Sequence, residues 1–134
     1  MYELMIERDF SAAHQLQEVK GACERLHGHT WHVRVSLLGE CLKENGMLID
    51  FREAKRKIGR WIRKLDHQFL NEIMEGLNPT TENIARYLYE RIGQELNCQR
   101  CKVKTITVWE SKDCSVCYSQ PNEGENETYS SGCS

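Results

Sequence analysis

The sequence predicts an α+β domain in which a four-stranded antiparallel sheet carries two helices on one face. Two segments near each end of the chain alternate apolar and polar residues with the period of two that half-buried strands show. Two central segments instead repeat apolar residues every three or four positions, as amphipathic helices do. The resulting order, β-β-α-α-β-β, groups the strands in consecutive pairs, which favours an antiparallel sheet.

The first two strands are predicted over residues 2 to 10 and 29 to 38. The apolar face of the first strand contains Tyr2, Leu4, Ile6 and Phe10. The second strand alternates more regularly, and its apolar face contains Trp31, Val33, Val35 and Leu37. Because successive side chains of a strand point to opposite faces, each apolar set lies on one face of the sheet.

The two helices follow in the middle of the chain. The first is predicted over residues 51 to 65, where Asp50 and Glu53, three positions apart, resemble a capping box. The Pro-Thr-Thr sequence of residues 79 to 81 introduces the second helix. Its apolar stripe contains Ile84, Leu88, Ile92 and Leu96.

The last two strands are predicted over residues 102 to 110 and 114 to 119, where they can pair as a hairpin. Residues 121 to 134 have almost no apolar content and are predicted to form a disordered polar tail. A chain of 134 residues has room for one core only. Residues 1 to 120 are therefore predicted to form a single domain.

Composition and charge exclude several classes of protein. The chain has 18 Lys and Arg against 20 Asp and Glu, so no overall positive field favours nucleic acid or an anionic membrane as a partner. Its apolar runs are too short to cross a bilayer, and its first residues lack the pattern of a signal peptide. We therefore expect a cytoplasmic protein whose seven cysteines are thiols or metal ligands.

Three of the five histidines, His14, His27 and His29, form a candidate metal site. His27 and His29 are two residues apart at the start of the second strand, so both imidazoles project from one face. If the first two strands pair as a hairpin, His14 returns beside them as a third ligand. Three neutral imidazoles with one open position make up a common catalytic zinc site. His32 lies on the opposite strand face and is excluded.

Cys23 lies four residues before His27, in a loop that would pass the metal. A nearby dication lowers the pKa of a thiol, which makes Cys23 a candidate base or nucleophile. Two other interpretations stay open. Cys23 is a small buried side chain, or it is a fourth zinc ligand that would make the site structural.

Six motifs occur in order along nearly the whole chain. They are Phe10-Ser11-Ala12-Ala13-His14, Cys23-Glu24-Arg25-Leu26-His27-Gly28-His29, Gly46-Met47-Leu48-Ile49-Asp50-Phe51, Leu65-Asp66-His67-Gln68-Phe69-Leu70-Asn71, Asn78-Pro79-Thr80-Thr81-Glu82-Asn83 and Trp109-Glu110-Ser111. Together they resemble the family of 6-pyruvoyl-tetrahydropterin and 6-carboxy-tetrahydropterin synthases. The resemblance implies the tunnelling fold, in which sheets of neighbouring subunits close a barrel. It also implies a homohexamer, a dimer of trimers, with active sites between subunits.

The resemblance implies roles for the residues of the candidate site. The three histidines become zinc ligands, and Cys23 becomes the catalytic thiol. Asp66 and His67 match the pair that completes the proton relay, which in the family comes from a neighbouring subunit. A carboxylate beside an imidazole fixes its tautomer and raises its basicity, so His67 could exchange a proton near neutral pH.

Three further residues are implied to bind the substrate. Glu110 matches the carboxylate that anchors the pterin ring, whose N–H and amino groups suit a bidentate acceptor. It shares a strand face with Ile106 and Val108, where a carboxylate is costly unless it meets donors. Thr81 and Glu82 match the same motif set, although helix capping explains them equally well.

The resemblance implies chemistry on 7,8-dihydroneopterin triphosphate, a small-molecule pterin substrate. The C-x3-H-G-H spacing from Cys23 to His29 is typical of the carboxy branch, which releases acetaldehyde and triphosphate and leaves 6-carboxytetrahydropterin. That branch serves the 7-deazaguanine route to queuosine. The alternative within the family is a 6-pyruvoyl-tetrahydropterin synthase.

Four cysteines near the C-terminus suggest a different class of protein. Their spacing, C-x2-C-x12-C-x2-C from Cys98 to Cys117, is also that of a zinc ribbon, which would make the chain a non-enzymatic interaction module. The strand predicted between Cys101 and Cys114 would, however, hold the two pairs roughly 25 to 30 Å apart. We therefore expect no shared ion, and the role of these thiols stays open.

Overall fold

A computed structural model describes residues 1–17 and 24–121 of the chain. The described residues form four strands and three helices. In chain order they are β1 (Tyr2–His14), β2 (His27–Gly39), α1 (Phe51–Leu65), α2 (Leu70–Ile73), α3 (Thr81–Leu96), β3 (Lys102–Trp109) and β4 (Ser115–Tyr118). Apart from residue 121, the predicted tail over residues 121 to 134 lies outside the described residues.

As the sequence predicts, the four strands form one antiparallel sheet. Their order within the sheet is β1-β2-β3-β4. The register matches apolar positions across strands, so that Phe10 of β1 lies opposite Trp31 of β2 and Val33 of β2 lies opposite Val108 of β3. These four side chains are buried on the face that packs against the helices. The apolar alternation therefore fixes the register, because a slip of one residue would turn each set toward solvent.

Helices α1 and α3 cover the core face of the sheet, also as predicted. Asp50 caps α1, because its side chain accepts the backbone N–H of Arg52 at 2.8 Å. Thr80 caps α3 in the same way, through the N–H of Asn83 at 3.1 Å. The predicted stripe of α3 is buried, and none of the described helices is long and apolar enough to cross a membrane.

Two features of the fold differ from the sequence prediction. Strand β1 continues four residues beyond Phe10, because Ser11-Ala12-Ala13 pairs with the start of β2 although small side chains give little strand signal. The one-turn helix α2 is also new. A four-residue helix is too short to show a period, and tertiary packing forms it by burying Leu70.

Gly39, at the end of β2, lies very close to the backbone of the turn before β3. A Cβ atom at this position would lie 2.5 Å from the backbone oxygen of Arg100 and would collide with the side chain of Leu48. The backbone oxygen of Arg100 could not move away from such a Cβ atom unless the strand shifted as well. Gly28 in the same strand is a matched contrast, because its Cβ would meet only the oxygen of Ala12, at 3.5 Å.

We expect Gly39→Ala to lower the free energy of unfolding by about 1–3 kcal/mol, the usual cost of overpacking. Urea unfolding followed by circular dichroism measures the change, and Gly28→Ala is the control that should shift stability far less. Equal effects of the two substitutions would contradict the assigned packing at Gly39.

Candidate metal centre

Three histidines and a glutamate gather at one end of the core face of the sheet. His14, the last residue of β1, lies directly opposite His27, the first residue of β2. His29 follows two residues along β2, opposite Ala12, whose small side chain leaves room beside the ring. Glu110 follows β3 and reaches the same place. The register of three strands thus assembles the group, which we call the histidine–glutamate cluster.

The distances within the histidine–glutamate cluster fit a single ion. The Nε2 atoms of His14 and His27 are 2.9 Å apart. An Oε1 atom of Glu110 lies 3.2 Å from Nε2 of His29 and 4.0 Å from Nε2 of His14. One ligand atom from each residue lies within 4.8 Å of all the others. A tetrahedral ion with bonds of about 2.0–2.1 Å separates its ligands by roughly 3.3 Å.

Backbone carbonyls fix the tautomers of two rings. The Nδ1 atoms of His14 and His27 donate to the carbonyl oxygens of Pro79 and Arg25, each at 2.8 Å. A carbonyl oxygen only accepts, so Nδ1 carries the proton and Nε2 of each neutral ring presents a lone pair. Such outer hydrogen bonds orient the histidines of metal sites and raise their basicity.

The facing Nε2 atoms of His14 and His27 favour a bound cation. Two neutral rings in these tautomers have no proton to share across 2.9 Å, so their lone pairs repel unless a cation lies against both. Burial is the main cause that lowers the pKa of His14, which disfavours its protonation. Imidazole nitrogens with one carboxylate oxygen are ligands that suit a divalent transition metal. The cluster can therefore hold a metal ion.

Aromatic side chains of the core pack against the histidine–glutamate cluster. The ring of Trp31 lies edge-on to His14 and His29, with centroids 5.0 and 5.2 Å away, and stacks on Phe10 at 5.2 Å. Trp31 and Phe10 are buried in the core, so neither ring can move without opening a cavity. Packing thereby holds both histidines, and the hydrogen bond to Pro79 also holds His14.

The pair Asp66 and His67 lies where α1 ends. The side chain of Asp66 accepts the backbone N–H of Ser11 at 2.9 Å and lies 3.0 Å from Nδ1 of His67. The Ser11 N–H is the main cause that lowers the pKa of Asp66, and His67 adds to it, so the group is a carboxylate. His67 has a φ of 58°, an uncommon conformation for a residue with a side chain. Its N–H also donates to the Ser11 oxygen.

An open cavity of about 650 Å³ adjoins both groups. His67 and His29 line it together, along with residues 11–13 and 68–69. The side chain of His67 is 82% exposed, whereas that of His29 is 30% exposed. The structure thus places the predicted relay pair beside one predicted ligand, at the edge of the sheet formed by β1.

The two residues at the start of α3 are placed differently. Thr81 is buried, and Glu82 is exposed on the first turn. The cap of the helix is Thr80, so capping does not account for Thr81. The carbonyl oxygen of Pro79, which precedes the cap, accepts the hydrogen bond from Nδ1 of His14. The start of α3 therefore lies against the cluster, but the substrate roles of Thr81 and Glu82 stay predictions.

Cys23, the predicted catalytic thiol, lies outside the described residues. Two asparagines hold the chain that precedes the undescribed residues 18–23. Asn71 exchanges two hydrogen bonds with the backbone of Gln15, at 2.9 and 2.7 Å, and Asn78 does so with Gln17, both at 2.8 Å. Neither asparagine has a role in the sequence prediction, although both lie in the quoted motifs. A side chain that bonds to distant backbone leaves no periodic signal in the sequence.

The remaining candidates lie away from the cluster. His32 faces the opposite side of the sheet, as predicted. On that side it contacts Glu7 and Asp9. Among residues 1–17 and 24–121 the histidine–glutamate cluster is the only group of three or more potential ligands that could share an ion. Cysteines 98, 101, 114 and 117 form no such group, because β3 separates the two pairs. The zinc-ribbon interpretation therefore has no site in the described chain.

Comparison with known proteins agrees with this fold and shows the family. A 6-pyruvoyl tetrahydropterin synthase structure from Caenorhabditis elegans superposes with a TM-score of 0.75 at 24% identity, covering 90% of this chain and 98% of that one. The fold is therefore that of the tunnelling-fold pterin enzymes. Residues 3–121 match the family described as 6-pyruvoyl tetrahydropterin synthase. The chain belongs to this family of pterin-processing enzymes.

Two relatives differ in their named activities. The chain is 37% identical to a dihydroneopterin monophosphate aldolase of Pyrococcus furiosus, over 84% of this chain and 93% of that protein. It is 36% identical to a 6-carboxy-5,6,7,8-tetrahydropterin synthase of Synechocystis, over 70% of this chain and 77% of that protein. Family membership is thus shown, and the reaction within the family is a separate question.

We expect His27→Ala to weaken Zn²⁺ binding at least about 100-fold, because loss of a direct ligand exceeds the 10–100-fold cost of losing an outer partner. Competition with a chromogenic chelator measures the affinity. His32→Ala, which changes a histidine on the other sheet face, should bind zinc as the unaltered protein does. Equal affinities of the two variants would contradict the site.

Proposed function

We propose that this chain is a zinc-dependent 6-carboxy-5,6,7,8-tetrahydropterin synthase. It would convert 7,8-dihydroneopterin triphosphate to 6-carboxytetrahydropterin and release acetaldehyde and triphosphate, a step in 7-deazaguanine and queuosine biosynthesis. The observation that supports this most is the histidine–glutamate cluster beside an open cavity lined by His67. The Synechocystis relative, which carries this name, adds to the support.

His14, His27 and His29 would hold the zinc ion through their Nε2 atoms. When bound, zinc supplies a Lewis acid that makes the hydroxyl groups of the substrate side chain more acidic. The chain itself orients two of the rings through the carbonyl partners of His14 and His27, and burial disfavours protonation of His14. Pre-set ligands of this kind need little rearrangement on binding.

The protons would be transferred by Cys23, Asp66 and His67. Asp66 is held as a carboxylate by Ser11 and accepts from Nδ1 of His67, which leaves Nε2 of that ring free to take up a proton. Proton transfer of this kind is efficient near the pKa of an imidazole. Cys23 would exchange a second proton with the substrate side chain.

The exposure of His67 supports an active site shared between subunits. A ring that is 82% exposed exchanges protons with water rather than with a bound substrate. In the proposed homohexamer, a dimer of trimers, a neighbouring sheet would cover this side and exclude the water. Within the described residues, β4 and the part of β1 before Ser11 each have one edge without a strand partner, which a neighbouring subunit could pair with to close the barrel.

Glu110 would anchor the pterin ring, with Thr81 and Glu82 near the same end of the sheet. Its carboxylate is 35% exposed, so it can reach a ligand while one oxygen contacts His29. Two neighbouring N–H donors of a pterin suit such an acceptor. If Glu110 instead closed the metal site as a fourth ligand, the site would have no open position for substrate.

A second candidate function is dihydroneopterin monophosphate aldolase, because the Pyrococcus relative of that name matches a larger share of this chain. Both reactions begin by moving protons on the hydroxylated side chain of a dihydropterin. Both would break the bond between the first and second carbons of the side chain, and they differ in the number of phosphates carried and in the fate of the phosphate. An aldolase would leave a hydroxymethyl group on the pterin ring and release a two-carbon aldehyde that keeps its phosphate. A 6-pyruvoyl-tetrahydropterin synthase is the third possibility and would release no aldehyde.

We expect the zinc-loaded protein to convert 7,8-dihydroneopterin triphosphate to 6-carboxytetrahydropterin with equal amounts of acetaldehyde. Mass spectrometry of the products, with the chelator-treated protein as control, measures this. A pyruvoyl product without acetaldehyde would contradict the proposal. So would preferential turnover of the monophosphate with a phosphorylated aldehyde as product.

Glu110→Gln should raise KM by about 10- to 100-fold and leave zinc affinity within threefold, because it loses a charged hydrogen bond to the ring worth about 1.5–3 kcal/mol. Steady-state kinetics and zinc competition measure the two effects. Glu90→Gln, at an exposed position of α3 that pairs with Arg86, is the matched control. A large loss of zinc affinity in Glu110→Gln would make this residue a metal ligand instead.

A further inference from the structure

Two cysteines with different environments lie in the turn between α3 and β3. Cys98 is exposed, whereas Cys101 is 3% exposed and packs into the core. The turn lies at the far end of β3 from Glu110, which at about 3.3 Å per residue is roughly 30 Å away. This cysteine pair is therefore separate from the histidine–glutamate cluster, and its role does not depend on the proposed function.

The backbone of the turn holds the two cysteines close together. The N–H of Cys98 donates to the carbonyl oxygen of Cys101 at 2.9 Å. The first and last Cα atoms of a four-residue turn lie within about 7 Å of each other. A disulfide needs roughly 4.4–6.8 Å. The side chain of Asn97 also accepts the N–H of Val103 at 2.7 Å, which fixes the chain around the turn.

The two sulfur atoms have opposite acid–base properties. Backbone N–H groups near its sulfur, chiefly that of Cys101, lower the pKa of Cys98. Burial raises the pKa of Cys101, whose Sγ lies 3.7 Å from the carbonyl oxygen of Leu96. An exposed thiolate with a buried partner is the arrangement in which one thiol attacks a disulfide and the other resolves the product.

We propose that Cys98 and Cys101 are a reactive dithiol that low-molecular-weight disulfides oxidise to an intramolecular disulfide. The Cys98 thiolate attacks a disulfide RSSR, forms a mixed disulfide and releases one RS⁻. Cys101 then loses its proton to solvent, attacks the Cys98 sulfur and releases the second RS⁻, which the solvent protonates. Two protein thiols are oxidised, one RSSR is reduced to two RSH, and the atoms and electrons balance.

Other cysteines of the chain provide internal controls. Cys114 and Cys117 have the same sequence spacing, but Cys117 lies in the extended strand β4. Three residues of extended chain span about 10 Å, and their side chains face opposite sides, so this pair cannot form a disulfide without unfolding of the strand. Cys41 is exposed and pairs with no other cysteine in the described chain.

The test equilibrates the full-length reduced protein with a series of glutathione and glutathione disulfide mixtures. Alkylation in acid and peptide mass mapping then report the state of each cysteine. We expect a Cys98–Cys101 disulfide to form while Cys114 and Cys117 form none with each other. Cys98 should react with an aromatic disulfide reagent roughly three- to tenfold faster than Cys41 at neutral pH, from its larger thiolate fraction.

Two variants separate the steps. Cys101→Ser should stop at a mixed disulfide of Cys98 with glutathione. Cys98→Ser, an exposed change that does not alter the core, should leave Cys101 reduced, and circular dichroism checks that each variant is folded. The proposal would be overturned if Cys98 formed only a mixed disulfide in the unaltered protein or bridged to Cys41. It would equally be overturned if a chelator-removable zinc ion protected both thiols from alkylation.

Discussion

The pairing of β1 with β2 is the constraint on which the rest of the site depends. It places His14 opposite His27 and leaves His29 beside the small side chain of Ala12, all on the face that the core covers. Two neutral imidazoles then present lone pairs to each other at 2.9 Å, an arrangement that costs energy unless a cation joins them. The fold therefore assembles a repulsive contact in a place where a metal ion turns it into an attractive one.

The helices explain why this contact persists. The chain entering α3 supplies the Pro79 carbonyl to His14, and burial keeps that ring neutral. The end of α1 places Asp66 against Ser11 of β1, so His67 reaches the cavity beside His29. Each helix thus contributes one of its ends, and not its apolar face, to the site. The apolar faces of the helices pack against the sheet, and the helix ends position residues of the proposed site.

Residues with a periodic or paired signal could be predicted from the sequence, and residues without one could not. The alternation of β2, the Asp50 cap and the His27-Gly28-His29 spacing predict the sheet, a helix and two members of the histidine–glutamate cluster. The short helix α2 and the asparagine contacts to residues 15–17 come from packing between distant segments. Glu110 lies against His29 because of the register in which the strands pair. A single sequence does not specify that register to within one residue.

X-ray absorption at the zinc edge of the loaded, full-length protein tests the central claim most directly. The histidine–glutamate cluster predicts a first shell of nitrogen and oxygen atoms at about 2.0–2.1 Å, with the multiple-scattering pattern of about three imidazoles. A sulfur atom at about 2.3 Å would contradict it. That result would assign the ion to a cysteine-ligated site and remove the physical basis of the enzymatic account.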